Sequence, residues 1–371
     1  MAVVNDAVAV AASAVTALVG HRAAEWDRAG RLPTEVVRKL GAAGQLAPQI
    51  PTRYGGPGWS SADTGEFTAH VGSLCSSVRS VMTSQGMAAW AVERLAGPAQ
   101  AAELLPRLAT GDTAAVAFSE PQAGSDLSAV TTTVAVDGDS LLLTGRKVWV
   151  TAADHADLFL VLARLGEGGA VVVVPRGAPG VRVRRMADPL GCRAAGHAEV
   201  RFDAVRLPAG SLLGDGGQSL SLLATTALTY GRISVAWGCV GILRACVAAA
   251  GEHAGLRHQF GRPLGRHQLV ARHLAELWAA EQVATRVCEH ASRCWDDGST
   301  DLVTATVLAK YVSAGQAVRG AAAAVQVLAS AGAQDGHPVA RAYRDAKLME
   351  IIEGSTEMCQ LLLADHVLSR W

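Results

Sequence analysis

The chain has 371 residues, half of them hydrophobic, with 33 basic and 33 acidic side chains and a formal net charge of zero. That length accommodates about two or three domains with their own cores. The balanced charge gives no electrostatic basis for binding nucleic acid or an anionic membrane surface.

Only four of the basic residues are lysines (39, 147, 310 and 347). The seven cysteines are scattered, odd in number and free of any C-x-x-C spacing. They read as reduced thiols of a cytoplasmic protein, mostly small buried hydrophobes, and not as a disulfide framework or a metal site. No metal is expected.

The apolar stretch from Ala7 to Val19 superficially resembles a signal peptide. It lacks a basic leading region and carries Asn5 and Asp6 instead, so it reads as an amphipathic first helix. No uninterrupted apolar run reaches the roughly 18 residues of a membrane span, and none is expected.

Residues 1–113 read as an N-terminal α-helical domain, because Ala, Leu and Val recur at helical spacing. A turn-rich segment, Pro51-Thr-Arg-Tyr-Gly-Gly-Pro-Gly58, interrupts it. From 114 to 213 the pattern is that of a β domain, a barrel or sandwich. Val134–Val136 and Leu141–Leu143 flank Asp137-Gly138-Asp139, a hairpin signal. Leu158–Ala163 and Val171–Val174 are short apolar runs, and Val200 and Phe202 alternate with charged neighbours. Residues 214–371 read as a C-terminal helical bundle, with one stripe at Ile233, Val240, Leu243 and Val247. Further stripes follow at Val270, Leu274 and Leu277, and at Val303, Val307 and Tyr311.

Within this frame lie Phe118-Ser-Glu-Pro-Gln-Ala-Gly-Ser-Asp126 and then Lys147-Val-Trp-Val-Thr151. In order and at this separation they resemble the flavin-binding signature of the acyl-CoA dehydrogenase family. Each alone has a plainer reading, a Gly-containing turn and a core Trp. The order of α-helical, β and α-helical regions over the whole length is that family's architecture. Asp27-Arg28, Leu32-Pro33 and Tyr54-Gly-Gly56 also resemble its N-terminal domain.

The resemblance implies FAD as cofactor. Val116, Phe118, Ser119, Gly124, Ser125, Trp149, Val150 and Thr151 then fall in the flavin-contacting stretches. Small residues there let backbone approach a ligand, Trp149 offers a flat face, and Thr151 offers a hydroxyl. Arg257-His-Gln-Phe260-Gly-Arg-Pro263 and Gln268 resemble elements that reach the FAD of a neighbouring subunit, as does Gln326 to Ser330. An Arg suits a pyrophosphate because its planar fork can bind two oxygens. A solvated helix charge is the alternative for Arg257. Ser355 and Glu357 complete the implied flavin set. A homodimer or homotetramer is expected.

Ile352-Glu353-Gly354-Ser-Thr-Glu357, preceded by Arg344-Asp-Ala-Lys347, resembles the segment carrying the family's catalytic base. A carboxylate next to apolar groups is a better base because burial raises its pKa. Glu353 is therefore the predicted base, with Gly354 and Arg232 at the thioester. A solvated acid at a helix end is the alternative for Glu353, and a structural ion pair for Arg232. Some members carry the base immediately before that Arg, where this chain has Gly231.

The chain departs from the family at Ala152, where Asn is common. Ala194-Ala195 stand where a hydroxyl residue often follows Gly-x-Arg, and Ala329-Ser330 replace a Gly-Gly pair.

The activity implied is dehydrogenation of an acyl thioester, on coenzyme A or an acyl carrier protein, with an electron-transfer flavoprotein or similar acceptor. Relatives working on carrier-protein thioesters in polyketide extender-unit (methoxymalonyl) biosynthesis are a branch this composition suits. A flavin monooxygenase or oxidase on the same fold, and a catalytically silent flavin-binding relative, are the alternatives.

Overall fold

The computed structural model describes residues 6–369, so the outermost residues of the first and last predicted domains lie outside it. Six helices open the chain: α1 (Asp6–Val19), α2 (Ala23–Ala29), α3 (Thr34–Ala42), α4 (Ser61–Leu74), α5 (Ser76–Leu95) and α6 (Pro98–Thr110). In α1, Val8, Ala11, Val15 and Val19 are buried, the spacing of one helical face turned to α4. The Pro51 segment is a loop with one 3₁₀ turn at Thr52–Tyr54.

Seven strands follow. They are β1 (Ala114–Ala117), β2 (Thr133–Asp137), β3 (Ser140–Val150), β4 (Leu158–Leu165), β5 (Gly168–Pro175), β6 (Val181–Arg185) and β7 (Ala198–Pro208). They form one mixed sheet in the order β1-β4-β2-β3-β7-β6, with β5 paired to β4. The predicted hairpin is β2–β3, with Asp137 opposite Ser140. The β domain is thus a single curled sheet whose core includes Phe159, Val161, Val200 and Phe202.

The C-terminal helices are α7 (Leu220–Leu256), α8 (Gln268–Asp296), α9 (Leu302–Leu328), α10 (Pro338–Met349) and α11 (Thr356–Leu368). A two-residue hairpin, β8 (His258–Gln259) with β9 (Arg262–Pro263), separates α7 from α8. The long helix α7 is the spine of the molecule and packs on α4, α5, α8 and α9. It and the segment 6–29 are long and apolar enough to cross a membrane by composition. In α7 that apolarity is core: Ile233, Val240 and Leu243 are all buried within the fold.

Two of the four lysines are fully buried. Lys147 and Lys310 are each 0% exposed, and both serve the site described next.

Candidate active site

A cavity of about 770 Å³ lies where α5, the β domain, α7 and the α10–α11 turn meet. One wall comes from the β domain. Val116, Phe118, Ser119, Gly124 and Ser125 line it, with Trp149 and Thr151 beside them. The loop after β1 is held there by a buried ion pair. Lys147 Nζ donates to Glu120 Oε1 at 2.8 Å and to the Phe118 carbonyl at 2.9 Å. Glu120 also accepts from the backbone N–H groups of Thr131 and Thr132. Burial opposes ionisation of Glu120, yet these hydrogen bonds outweigh it and hold the carboxyl down to about 2.

Trp149 reaches the cavity because of a β-bulge. The β3–β7 register shifts between Lys147 and Val150, and Trp149 sits at φ 55°. The extra residue turns the indole out of the sheet, leaving it 51% exposed. Val150, by contrast, points into the core of the sheet and is 1% exposed. Its side chain is therefore not a cavity contact, because the pleat alternates faces. Ala152 adopts φ 62°, a left-handed conformation that Asn tolerates better than Ala. The family's usual residue there suits the backbone, and this chain keeps the conformation without it.

The opposite wall carries the predicted base. Glu353 stands in the turn between α10 and α11 at φ 57°, followed by Gly354 at φ 93°. A non-glycine residue held there stores about 1–3 kcal/mol of strain. Two buried cations hold the turn. Arg232 Nε donates to the Glu353 carbonyl at 3.2 Å. Lys310 Nζ donates to the carbonyls of Gly354 at 2.5 Å and Glu350 at 3.2 Å. The Glu353 side chain faces the cavity while its carboxyl is enclosed by protein. Burial pushes that carboxyl above the ordinary range, and Arg232, Lys310 and Arg79 act against the shift. Ser355 lines the cavity and its hydroxyl caps α11 by accepting from the Met358 N–H.

The other predicted residues are elsewhere. Glu357 is exposed in the first turn of α11, outside the cavity lining. Arg257, Gln268, Gln326 and Ser330 are exposed, and Phe260 is 94% exposed at φ 52° on the β8–β9 hairpin. None of them lines this chain's own cavity. Ala329 takes φ 51° and ψ −128°, a conformation suited to the glycine it replaces.

Among the cavity residues that the sequence reading did not single out are Arg79, His197 and Cys192. Arg79 on α5 is 1% exposed. Its signal was a lone charge in the otherwise uncharged run Ser76–Trp90. His197 accepts from or donates to the Thr151 hydroxyl at 3.3 Å, and its Nε2 has no partner. Burial, and then Arg79, push it down to about 4, so it is neutral near pH 7. Cys192 also lines the cavity, and burial pushes its thiol up to about 12, so it is no nucleophile. Among the described residues, no three His, Cys, Asp or Glu side chains gather as a metal site.

The β-domain wall fits a flavin. It combines a turned-out indole, the hydroxyls of Ser119, Ser125 and Thr151, and the open face of Gly124, where a Cβ would meet nothing.

Three family descriptions tile the chain. Acyl-CoA dehydrogenase N-terminal, middle and C-terminal domains match residues 6–112, 115–205 and 222–368. The chain belongs to the acyl-CoA dehydrogenase family.

It is similar to the glutaryl-CoA dehydrogenase of Desulfococcus multivorans, 31% identical, covering 92% of this chain and 90% of that protein. Among solved structures it resembles FkbI, described as serving biosynthesis of the methoxymalonyl extender unit of the Fk520 polyketide. Identity is 59% and the TM-score 0.93, over 96% of this chain and 99% of that one. Butyryl-CoA dehydrogenase from Megasphaera elsdenii superposes with a TM-score of 0.91 at 26% identity, over 94% of each chain. This dehydrogenase is accordingly an FAD-dependent oxidoreductase acting on acyl thioesters.

Proposed function

We propose that Glu353 is the base that removes the α-proton of the acyl thioester. The observation that carries this reading is its position: an enclosed carboxylate facing the cavity wall opposite the flavin-type segment, on a turn pinned by Arg232 and Lys310. Desolvation makes the carboxylate more basic, which suits a weakly acidic proton. The Glu353 N–H polarises the thioester carbonyl, in the manner of an oxyanion hole. Bound FAD supplies the two-electron acceptor for the β-hydride. Val116, Phe118, Ser119, Gly124, Ser125 and Trp149 form its shelf, and the Thr151 hydroxyl, oriented by neutral His197, meets its edge.

We further infer that the acyl group is carried on an acyl carrier protein and that the product is a polyketide extender-unit precursor. The support is the 59% identity to FkbI over nearly the whole chain. Electrons leave to an electron-transfer flavoprotein or a similar acceptor. Arg257, Phe260, Gln268, Gln326 and Ser330 lie outside the cavity because they serve the FAD of a second copy in a homo-oligomer. The almost fully exposed Phe260 ring is a surface such a copy would cover. The enzyme works in the cytoplasm, where its seven free cysteines stay reduced.

Anaerobic addition of matched acyl-carrier-protein and acyl-CoA thioesters to the flavoprotein tests the carrier. Faster bleaching of the flavin by the carrier-protein thioester is expected. A preference for the CoA thioester would overturn that assignment.

A further inference from the structure

His197 stands immediately before β7 and lines the cavity. Its Nδ1 lies 3.3 Å from the Thr151 hydroxyl oxygen, and its Nε2 is buried without a partner. Among the described residues, the imidazole is the one hydrogen-bond partner of that hydroxyl.

The pair is built into the fold. The Ala152 N–H donates to the Ala195 carbonyl at 3.0 Å, and the Asp154 N–H to the Gly196 carbonyl at 3.1 Å. The Met186 N–H donates to the His197 carbonyl at 2.9 Å. These backbone bonds tie the stretch after Thr151 to the stretch that ends at His197. Trp149 closes on the imidazole in a T-shaped contact, with ring centroids 5.9 Å apart.

Nothing in the protein selects the tautomer. A histidine whose role needs one tautomer commonly has a ring nitrogen held by a carbonyl or a carboxylate. Nε2 of His197 meets neither. The ring is neutral near pH 7, because burial and then Arg79 hold it down to about 4. A neutral imidazole has one donor and one acceptor, and a threonine hydroxyl can do both. Two arrangements therefore fit the same heavy atoms. With the proton on Nδ1, His197 donates to Thr151 and the hydroxyl hydrogen is free for the cavity. With the proton on Nε2, Thr151 donates to His197 and only its oxygen lone pairs face the cavity.

A flavin calls for both arrangements in turn. The ring nitrogen that receives a hydride is a hydrogen-bond acceptor beforehand and an N–H donor afterwards. A hydroxyl locked in one direction would suit one of these states. In the other it would leave a buried donor or acceptor unpaired.

We propose that His197 is a positioning residue that changes tautomer with the oxidation state of the flavin. Thr151 donates to the flavin edge while the flavin is oxidised and accepts from it once the flavin is reduced. The change removes a proton from Nδ1 and places one on Nε2, so the net charge is unaltered. The inference rests on the reading that the Thr151 hydroxyl meets the flavin edge.

Two measurements test it. Nitrogen-15 NMR of the FAD-loaded protein reads the tautomer, with the His197 resonances assigned by their loss in His197→Asn. The proton is expected on Nδ1 in the oxidised protein and on Nε2 after anaerobic reduction with dithionite. One tautomer in both states would overturn the proposal.

Potentiometry is the second measurement. His197→Phe keeps a ring but leaves the Thr151 hydroxyl hydrogen without an acceptor in the reduced state. The equilibrium should shift about tenfold against reduced flavin, a midpoint potential about 30 mV lower for two electrons. His197→Asn offers an amide donor or acceptor at the same place and should restore most of the wild-type value. Equal lowering by Phe and Asn contradicts the role. Thr151→Val separates the proposal from the reading beneath it. A changed potential in Thr151→Val with none in His197→Phe sinks the positioning role alone. No change in Thr151→Val sinks the flavin-edge reading, and the proposal with it.

Discussion

The carboxylate of Glu353 rests on Gly231. A Cβ built on Gly231 would lie 2.5 Å from Glu353 Oε2 and 2.8 Å from its carboxyl carbon. The turn between α10 and α11 and the middle of α7 therefore share one small volume, which a side chain from only one of them can fill. Glycine at 231 is the condition for a base at 353.

Gly231→Ala should expose this dependence. Gly231 is helical, and alanine there favours the helix by about 1 kcal/mol. Global stability should stay near wild type. The added methyl nonetheless displaces the Glu353 carboxylate, and a shift near 1 Å costs about 10²-fold in rate. Stopped-flow flavin reduction beside a melting curve checks both halves. An unchanged rate would contradict the shared-volume account.

Lys310→Met removes a cation that lowers the Glu353 pKa and two hydrogen bonds to its turn. The base works ionised, so its acid limb falls where the carboxyl protonates. Burial has already raised that point, and losing Lys310 raises it further. The pH profile of flavin reduction should move to higher pH, with a lower plateau. A plateau change without movement of the limb would make Lys310 merely structural.

Glu120→Gln strands the Lys147 ammonium inside the protein. Breaking a buried pair in this way costs about 3–5 kcal/mol, and it frees the loop that carries Phe118 to Ser125. Denaturant unfolding should show the loss, and FAD should dissociate more readily. The pH dependence has a defined sign. Glu120 is held down to about 2 in the fold, against about 4.3 unfolded. Its contribution is present above about 4.3 and is lost as pH falls towards about 2. The variant should lack that part of the acid limb.

Most of the fold was legible because its signals are periodic. The stripe at Ile233, Val240 and Leu243 marks the buried side of α7, and Asp137-Gly138-Asp139 marks the β2–β3 turn. The flavin-type wall was legible because its residues are close in sequence, between 116 and 125 and at 149 and 151. The inward direction of the Val150 side chain was not legible, because the pleat alternates and a motif does not show faces. Arg79 and His197 were missed because only the tertiary fold brings α5 and the residue before β7 to one cavity, and Lys310 because α9 meets the Glu353 turn only in the fold. The unpartnered Arg79 Nε and His197 Nε2 have no sequence signature.

Ala329→Gly tests a smaller point. Ala329 holds φ 51° and ψ −128°, where a Cβ is strained. Glycine should relieve about 1–3 kcal/mol of strain, partly offset by its greater unfolded-state entropy. The melting temperature should rise. A fall would mean that the alanine methyl makes contacts worth more than the strain.

The visible spectrum of the purified flavoprotein under anaerobic conditions, followed as an acyl thioester is added, tests the role of Glu353. Wild type should bleach, and Glu353→Gln should keep its yellow flavin and bleach more slowly by about 10²–10⁴-fold, the range for loss of a general base. Bleaching at the wild-type rate in Glu353→Gln would contradict the assignment of the base.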